Sequence, residues 1–148
     1  MTTQITVVPF NFGAALPNDP VEIQKTNIAL IHQTTRDDDI YDKVYRAKLL
    51  TRIVKSGLEV LVDESTSDIV DRWEDSPNLP ALKIARFTRK PFNMPGDETL
   101  VAVRISAVSD VLPVAPIEYP DYKTLIIMGG LRVPVTETPD EVKRLLGW

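Results

Sequence analysis

Cysteine is absent from the 148-residue chain. That excludes disulfides, thiol catalysis and thiolate metal sites. Histidine occurs once, at His32, so a cluster of imidazole ligands is excluded too. There is no run of about eighteen apolar residues, the length a membrane-spanning helix needs. The start, Met1-Thr2-Thr3-Gln4, lacks the basic residues and apolar stretch of a signal peptide, so a cytoplasmic location is expected. Positive charge is scarce: 17 Lys and Arg face 21 Asp and Glu, for a net charge of −4. Affinity for an anionic polymer then has to come from local charge patterning. No Walker sequence, Gly-x-Ser-x-Gly elbow or dinucleotide fingerprint occurs. Asp37-Asp38-Asp39 has oxygens suited to a hard cation, yet adjacent carboxylates seldom converge, and helix capping accounts for them better. A non-enzymatic protein with no cofactor and no metal is expected.

Hydrophobic residues make up 43% of the chain and charged residues 26%, which suits one soluble domain over 1–148. Two lobes are expected within it, a helix-rich one over 1–75 and a β-rich one over 81–148. The turn-rich residues Glu74 to Pro80 separate them. The expected class is α+β: antiparallel and β-rich, with several short-to-medium helices.

Residues 4–9 read as a strand. Asp19-Pro20-Val21-Glu22 reads as a helix start, followed by Val21, Ile28 and Ile31 at helical spacing. A strand over 27–35 is the alternative. Ile40, Val44, Ala47, Thr51 and Val54 form a stripe of 3.6 period, predicting a helix that stops at Gly57. Leu58 to Val62 reads as a strand and Ser65 as the cap of a helix through Trp73. Strands are expected over 81–87 and 100–107, with Val101, Val103 and Ile105 on one face. Pro113, Pro116 and Pro120 argue against a central strand after that. Gly129-Gly130 between Thr124–Met128 and Leu131–Val135 predicts a hairpin. Thr138-Pro139-Asp140-Glu141 is a capping box that opens a last helix, with Val142, Leu145 and Leu146 facing inward.

Residues 53–65 align without gaps on 126–138, and Asp68-Ile69 on Glu141-Val142, which suggests an internal repeat. The alternative is convergence, because the segment before Gly57 reads as helical and the one before Gly130 as extended.

The last third, from about Leu100 to Leu146, carries short strands, a glycine hairpin and the step Glu137-Thr138-Pro139-Asp140-Glu141-Val142. In this it resembles the small FlbD-like regulatory proteins. The resemblance implies a part in transcriptional regulation without enzymatic activity.

Two basic segments hold nine of the seventeen Lys and Arg residues. On the expected helix, Tyr41, Tyr45, Lys48, Arg52 and Lys55 fall at i, i+4, i+7, i+11 and i+14, one stripe beside the apolar face. The second segment, Lys83 to Phe92, contains Lys83, Arg86, Phe87, Arg89, Lys90 and Phe92 and no acid. Rings beside cations suit single-stranded nucleic acid, the rings stacking on bases and the cations meeting phosphates. The plainer readings are a solvated helix flank and a strand edge guarded by charge. The expected partner is single-stranded DNA, with a polymerase or other protein as a further partner, no membrane, and a homo-oligomer. Phage-encoded single-strand-binding transcription cofactors are similar in size and style. The runner-up is a protein–protein interaction or assembly module that uses a sheet edge and the terminal Leu145-Leu146-Gly147-Trp148.

Overall fold

The computed structural model describes residues 3–10, 19–34, 51–55, 58–90, 99–115 and 121–148. Its described elements are ten strands, two α-helices and two 3₁₀ turns. β1 (Gln4–Val7) and β2 (Val21–Gln24) pair antiparallel, and a 3₁₀ turn (Lys25–Asn27) leads into β3 (Ile28–Gln33). β4 (Thr51–Lys55), β5 (Leu58–Val62) and α1 (Thr66–Glu74) follow. Next come β6 (Ile84–Arg89), β7 (Thr99–Arg104), a second 3₁₀ turn (Ile105–Ala107) and β8 (Asp110–Pro113). β9 (Thr124–Met128), β10 (Leu131–Val135) and α2 (Pro139–Leu146) complete the order.

The strands form three antiparallel sheets: β1-β2, β5-β4-β3-β7-β6 and β10-β9-β8. The five-stranded sheet is the middle layer, because each of its faces carries its own core. On one face Leu30, Val54, Phe87, Val101 and Val103 meet Ile126, Val133, Val135, Val142 and Leu146 of the third sheet and α2. On the other, Ile28, Ile31, Ile53 and Ala102 meet Ile5, Val7 and Ile23 of the first sheet and Ile69, Val70 and Trp73 of α1. Strands in a sheet covered on both sides read as near-continuous apolar runs, and Ile28-Ala29-Leu30-Ile31 is one.

That double burial explains where helical spacing misleads. Val21, Ile28 and Ile31 do not lie on a helix. Val21 belongs to β2 and the two isoleucines to β3, so the strand alternative holds for 28–33. Pro20 stands just before a strand, where its missing N–H is equally harmless. Thr51 to Lys55 is likewise a strand, paired between β3 and β5. Three of its five residues are β-branched, which a pleated, half-buried surface favours. The remainder of the expected helix, 40–50, lies outside the described residues. The expectation of several helices reduces, among the described residues, to two α-helices.

Other local signals match their elements. Thr138 Oγ1 accepts from Glu141 N at 3.2 Å, and Pro139 occupies the first turn of α2. Gly129 takes φ 59° in the β9–β10 hairpin. A positive φ at the first central position alone is the pattern of a type II′ turn. β8 is the outermost strand of its sheet, where Pro113 is tolerated. Two details differ. Ile105 leaves the strand for the 3₁₀ turn and is half-buried. Leu145 is 45% exposed, while Val142 and Leu146, four apart and so on one face, are buried.

Candidate functional site

Strand alternation decides which basic residues can meet. On β4, Arg52 shares a face with Val54, towards the third sheet, whereas Lys55 falls on the opposite face with Ile53. A helical stripe through Arg52 and Lys55 therefore does not exist. On β6, Arg89 follows Ala85 and Phe87 on the face towards the third sheet, and Arg86 faces the other way. His32 lies opposite Arg52 in the β3–β4 register.

The result is a small cleft of about 80 Å³ between the middle sheet and β10, lined by Leu30, His32, Arg52, Arg89, Leu131, Arg132, Val133 and Pro134. His32, Arg52 and Arg89 come from three strands of the middle sheet. Arg132 alternates with the core-facing Leu131 and Val133 and so borders the cleft from the outer face of β10, where it also lines a groove with Asp110. None of the residues lining the cleft itself is acidic. His32 is buried. Its Nδ1 lies 3.2 Å from Arg89 Nη1 and 2.9 Å from Gln33 O. That nitrogen accepts from Arg89 only in the Nε2–H tautomer and donates to Gln33 O only when it carries the proton itself. Arg52 forms an ion pair with Glu59 at the rim. Arg52 and Leu131 also line an adjoining groove of about 560 Å³, which reaches Asn27, Arg104 and the Gly129-Gly130 turn. Arg104 is held there by its Nε, which donates to Ile28 O at 2.8 Å.

The other expected site residues fall elsewhere. Arg86 Nε donates to Glu74 at 2.6 Å and its Nη2 to Asp71 at 2.7 Å. These bonds, Glu74 first, hold its pKa above the ordinary arginine value against the smaller effect of burial. Arg86 thus ties β6 to α1, away from the cleft. Phe87 is 1% exposed in the core, so it cannot stack on a base, contrary to expectation. Lys83 is exposed just before β6, and Lys90 is half-buried just after it. Tyr41, Tyr45, Lys48 and Phe92 lie outside the described residues, as does Asp37-Asp38-Asp39. Among the described residues no group of three or more side chains is placed to hold a metal ion, and no helix is long and apolar enough to cross a membrane.

Sequence reasoning missed His32 and Arg132. Reading 28–33 as a strand puts Leu30 and His32 on one face by simple alternation, and that was the available signal. Arg132 carried none, because its role depends on how the hairpin lies against the middle sheet.

No family model and no curated protein matches the sequence. In fold the chain is similar to a solved structure, the LytTr DNA-binding domain of a putative methyl-accepting/DNA response regulator from Bacillus cereus. The TM-score is 0.51 at 13% identity, covering 100% of both chains.

Proposed function

We propose that this chain binds nucleic acid, preferring single-stranded DNA, as a non-enzymatic regulatory or accessory factor. The observation that carries the reading is the convergence of His32, Arg52, Arg89 and Arg132 on one cleft whose described lining has no acid. On a chain of net charge −4, such a site concentrates positive potential where the molecule as a whole repels phosphate. The fold likeness to a domain described as DNA-binding and the FlbD-like last third point the same way. A phage transcription cofactor working in the cytoplasm is one such role.

In this reading Arg89, Lys90 and Arg132 neutralise phosphates, Arg52 does so by exchanging its carboxylate partner Glu59 for a phosphate, and Lys48, outside the described residues, is assigned the same role. Tyr41, Tyr45 and Phe92 supply the stacking rings, since Phe87 is committed to the core. Arg86 is left out, because two carboxylates already hold it. A mobility-shift titration with single-stranded and duplex oligonucleotides at two salt concentrations tests the proposal. Binding to single strands that weakens steeply with salt is expected, because counterion release drives it. Tighter binding to duplex removes the single-strand preference, and no binding to either form at low salt ends the nucleic-acid reading.

A further inference from the structure

The two parts of the chain pair their strands by one scheme. The β1–β2 pairs Gln4↔Gln24, Ile5↔Ile23, Thr6↔Glu22 and Val7↔Val21 reappear 80 residues later in β6–β7 as Ile84↔Arg104, Ala85↔Val103, Arg86↔Ala102 and Phe87↔Val101. The burial of residues 4–7 and 84–87 follows the same order, intermediate, buried, exposed, buried. Lys25 N donates to Thr3 O, and 80 residues on Ile105 N donates to Lys83 O. β4–β5 and β9–β10 correspond at a shift of 73, from Thr51↔Val62 onto Thr124↔Val135 through Lys55↔Leu58 onto Met128↔Leu131. Thr51 Oγ1 donates to Glu64 O and Thr124 Oγ1 to Glu137 O, both at 2.6 Å. Where the two shifts meet, the four β3–β4 pairs Leu30↔Val54 to Gln33↔Thr51 map onto Asp110↔Ile127 to Pro113↔Thr124.

The halves differ at one edge. In the first, β3 is covered by β7 of the second, through Leu30↔Val103, Ile31↔Ala102 and His32↔Val101. The corresponding strand of the second half, β8, has no strand on its outer side among the described residues. Nor does β2, the counterpart of β7. We infer that β8 of one copy takes β2 of a second copy of this chain, repeating between molecules the join that β3 and β7 make within one.

Carrying the β3–β7 register across gives Asp110↔Ile23, Val111↔Glu22 and Leu112↔Val21 of the second copy. Leu112 and Val21 are two of the large apolar side chains left on the surface, 41% and 37% exposed. In this register they lie directly opposite each other, the arrangement that stabilises a strand pair. Gln24 is exposed and stands where Arg104 stands in the other half. Arg104 donates to Ile28 O across the internal join, and a glutamine amide offers the same donor to Val108 O, the counterpart carbonyl. Each copy presents one β8 edge and one β2 edge, so the contact runs head to tail and builds a ring or an open chain.

The β8 edge is also guarded. Val114 N donates to Lys123 O, so alternation turns the N–H of Leu112 and Asp110 towards β9 and that of Val111 outward. Asp110 Oδ1 occupies the Val111 N–H at 2.8 Å. Pro113 removes the next outward donor, a common protection of edges. Pairing therefore displaces the Asp110 carboxylate, which keeps association weak and sets its strength.

Sedimentation equilibrium of the full chain, without nucleic acid, tests the contact. Average mass should rise with concentration, and Asp110→Ala should shift the rise to roughly tenfold lower concentration by freeing the Val111 N–H. Leu112→Glu and Val21→Glu should each stay monomeric, and their equimolar mixture should form a one-to-one dimer and nothing larger. In that mixture one β8 edge and one β2 edge remain intact. Leu112→Ser and Val21→Ser provide milder versions should either charge disturb folding. Monomers throughout for both the wild type and Asp110→Ala overturn the inference. So does association that persists unchanged in both edge variants.

Discussion

Arg86 and Arg89 lie three residues apart on β6 and serve opposite faces of the sheet. Arg86 joins Asp71 and Glu74 of α1, and Arg89 turns to His32 in the cleft. Arg86→Ala should therefore lower stability without touching nucleic-acid affinity. The pair is 41% exposed on the arginine side, so solvent screening limits the loss to about 1 kcal/mol in urea unfolding. Because the Arg86 pKa is raised, its contribution is complete below the unfolded value and is lost only as pH climbs through the still higher folded one. It should not vary between mild acid and neutral pH. Trp73 makes a sharper test of the opposite core. It is fully buried and its Nε1 donates to Lys25 O at 3.0 Å. Trp73→Phe keeps most of the apolar bulk and removes one of the two donors to that carbonyl, which still accepts from Ile28 N, so the change should cost about 1 kcal/mol by the same measurement. A loss of about 3 kcal/mol or more would mean that the indole bond and its packing matter more than the Ile28 N–H that shares the carbonyl. At this scale the sequence was half legible. Alternation along 83–90 placed Arg86 and Arg89 on opposite faces. It leaves open which face is core, because each mixes cations with apolar residues, and so does not separate Phe87 as a core residue from Phe87 as a ligand contact.

Among the elements, those with local signatures were the most legible. The glycine hairpin, the α2 cap and the helix after Ser65 all depend on neighbours in sequence, and all three formed where their signals stood, although Ser65 makes no side-chain cap and its hydroxyl meets that of Ser67 instead. The α2 cap is the direct check: Thr138→Ala should cost about 1 kcal/mol, with the denaturant slope unchanged. Gly129→Val should cost a similar amount, because a β-branched residue is strained at φ 59°. The failures were β2 and β4, while at β3 the strand alternative held against the helix. The apolar residues of β3 and β4 recur at spacings of three and four as well as two, because the middle sheet is buried on both faces, whereas β2 lies outside that sheet and buries only Ile23, too little to show an alternation. Periodicity then does not separate strand from helix. Tertiary pairing decides, and it is non-local: β3 pairs with β7 some seventy residues away. The basic stripe drawn along residues 41–55 failed with that helix at Arg52 and Lys55. What survives in the cleft is Arg52, joined by Arg89 from the other basic segment.

For the whole molecule, the three-sheet arrangement brings basic residues from distant strands to one cleft on an otherwise acidic chain. The net composition gives no hint of such a site, but the two basic segments already hold Arg52 and Arg89; Arg132 joins them only once β10 lies over the middle sheet. Arg132 is the most useful probe, being exposed on β10 and lining the cleft. Its replacement should spare the fold. The decisive measurement is the affinity for a single-stranded oligonucleotide as a function of salt, for the wild type, Arg132→Gln and Arg86→Ala. Each phosphate contact contributes about 0.7 to the slope of log affinity against log salt for single strands. Arg132→Gln should weaken binding and flatten the slope by about that amount, while Arg86→Ala leaves both unchanged. Binding that persists with the same affinity and slope in Arg132→Gln, or that is lost in Arg86→Ala instead, would place the nucleic acid somewhere other than this cleft.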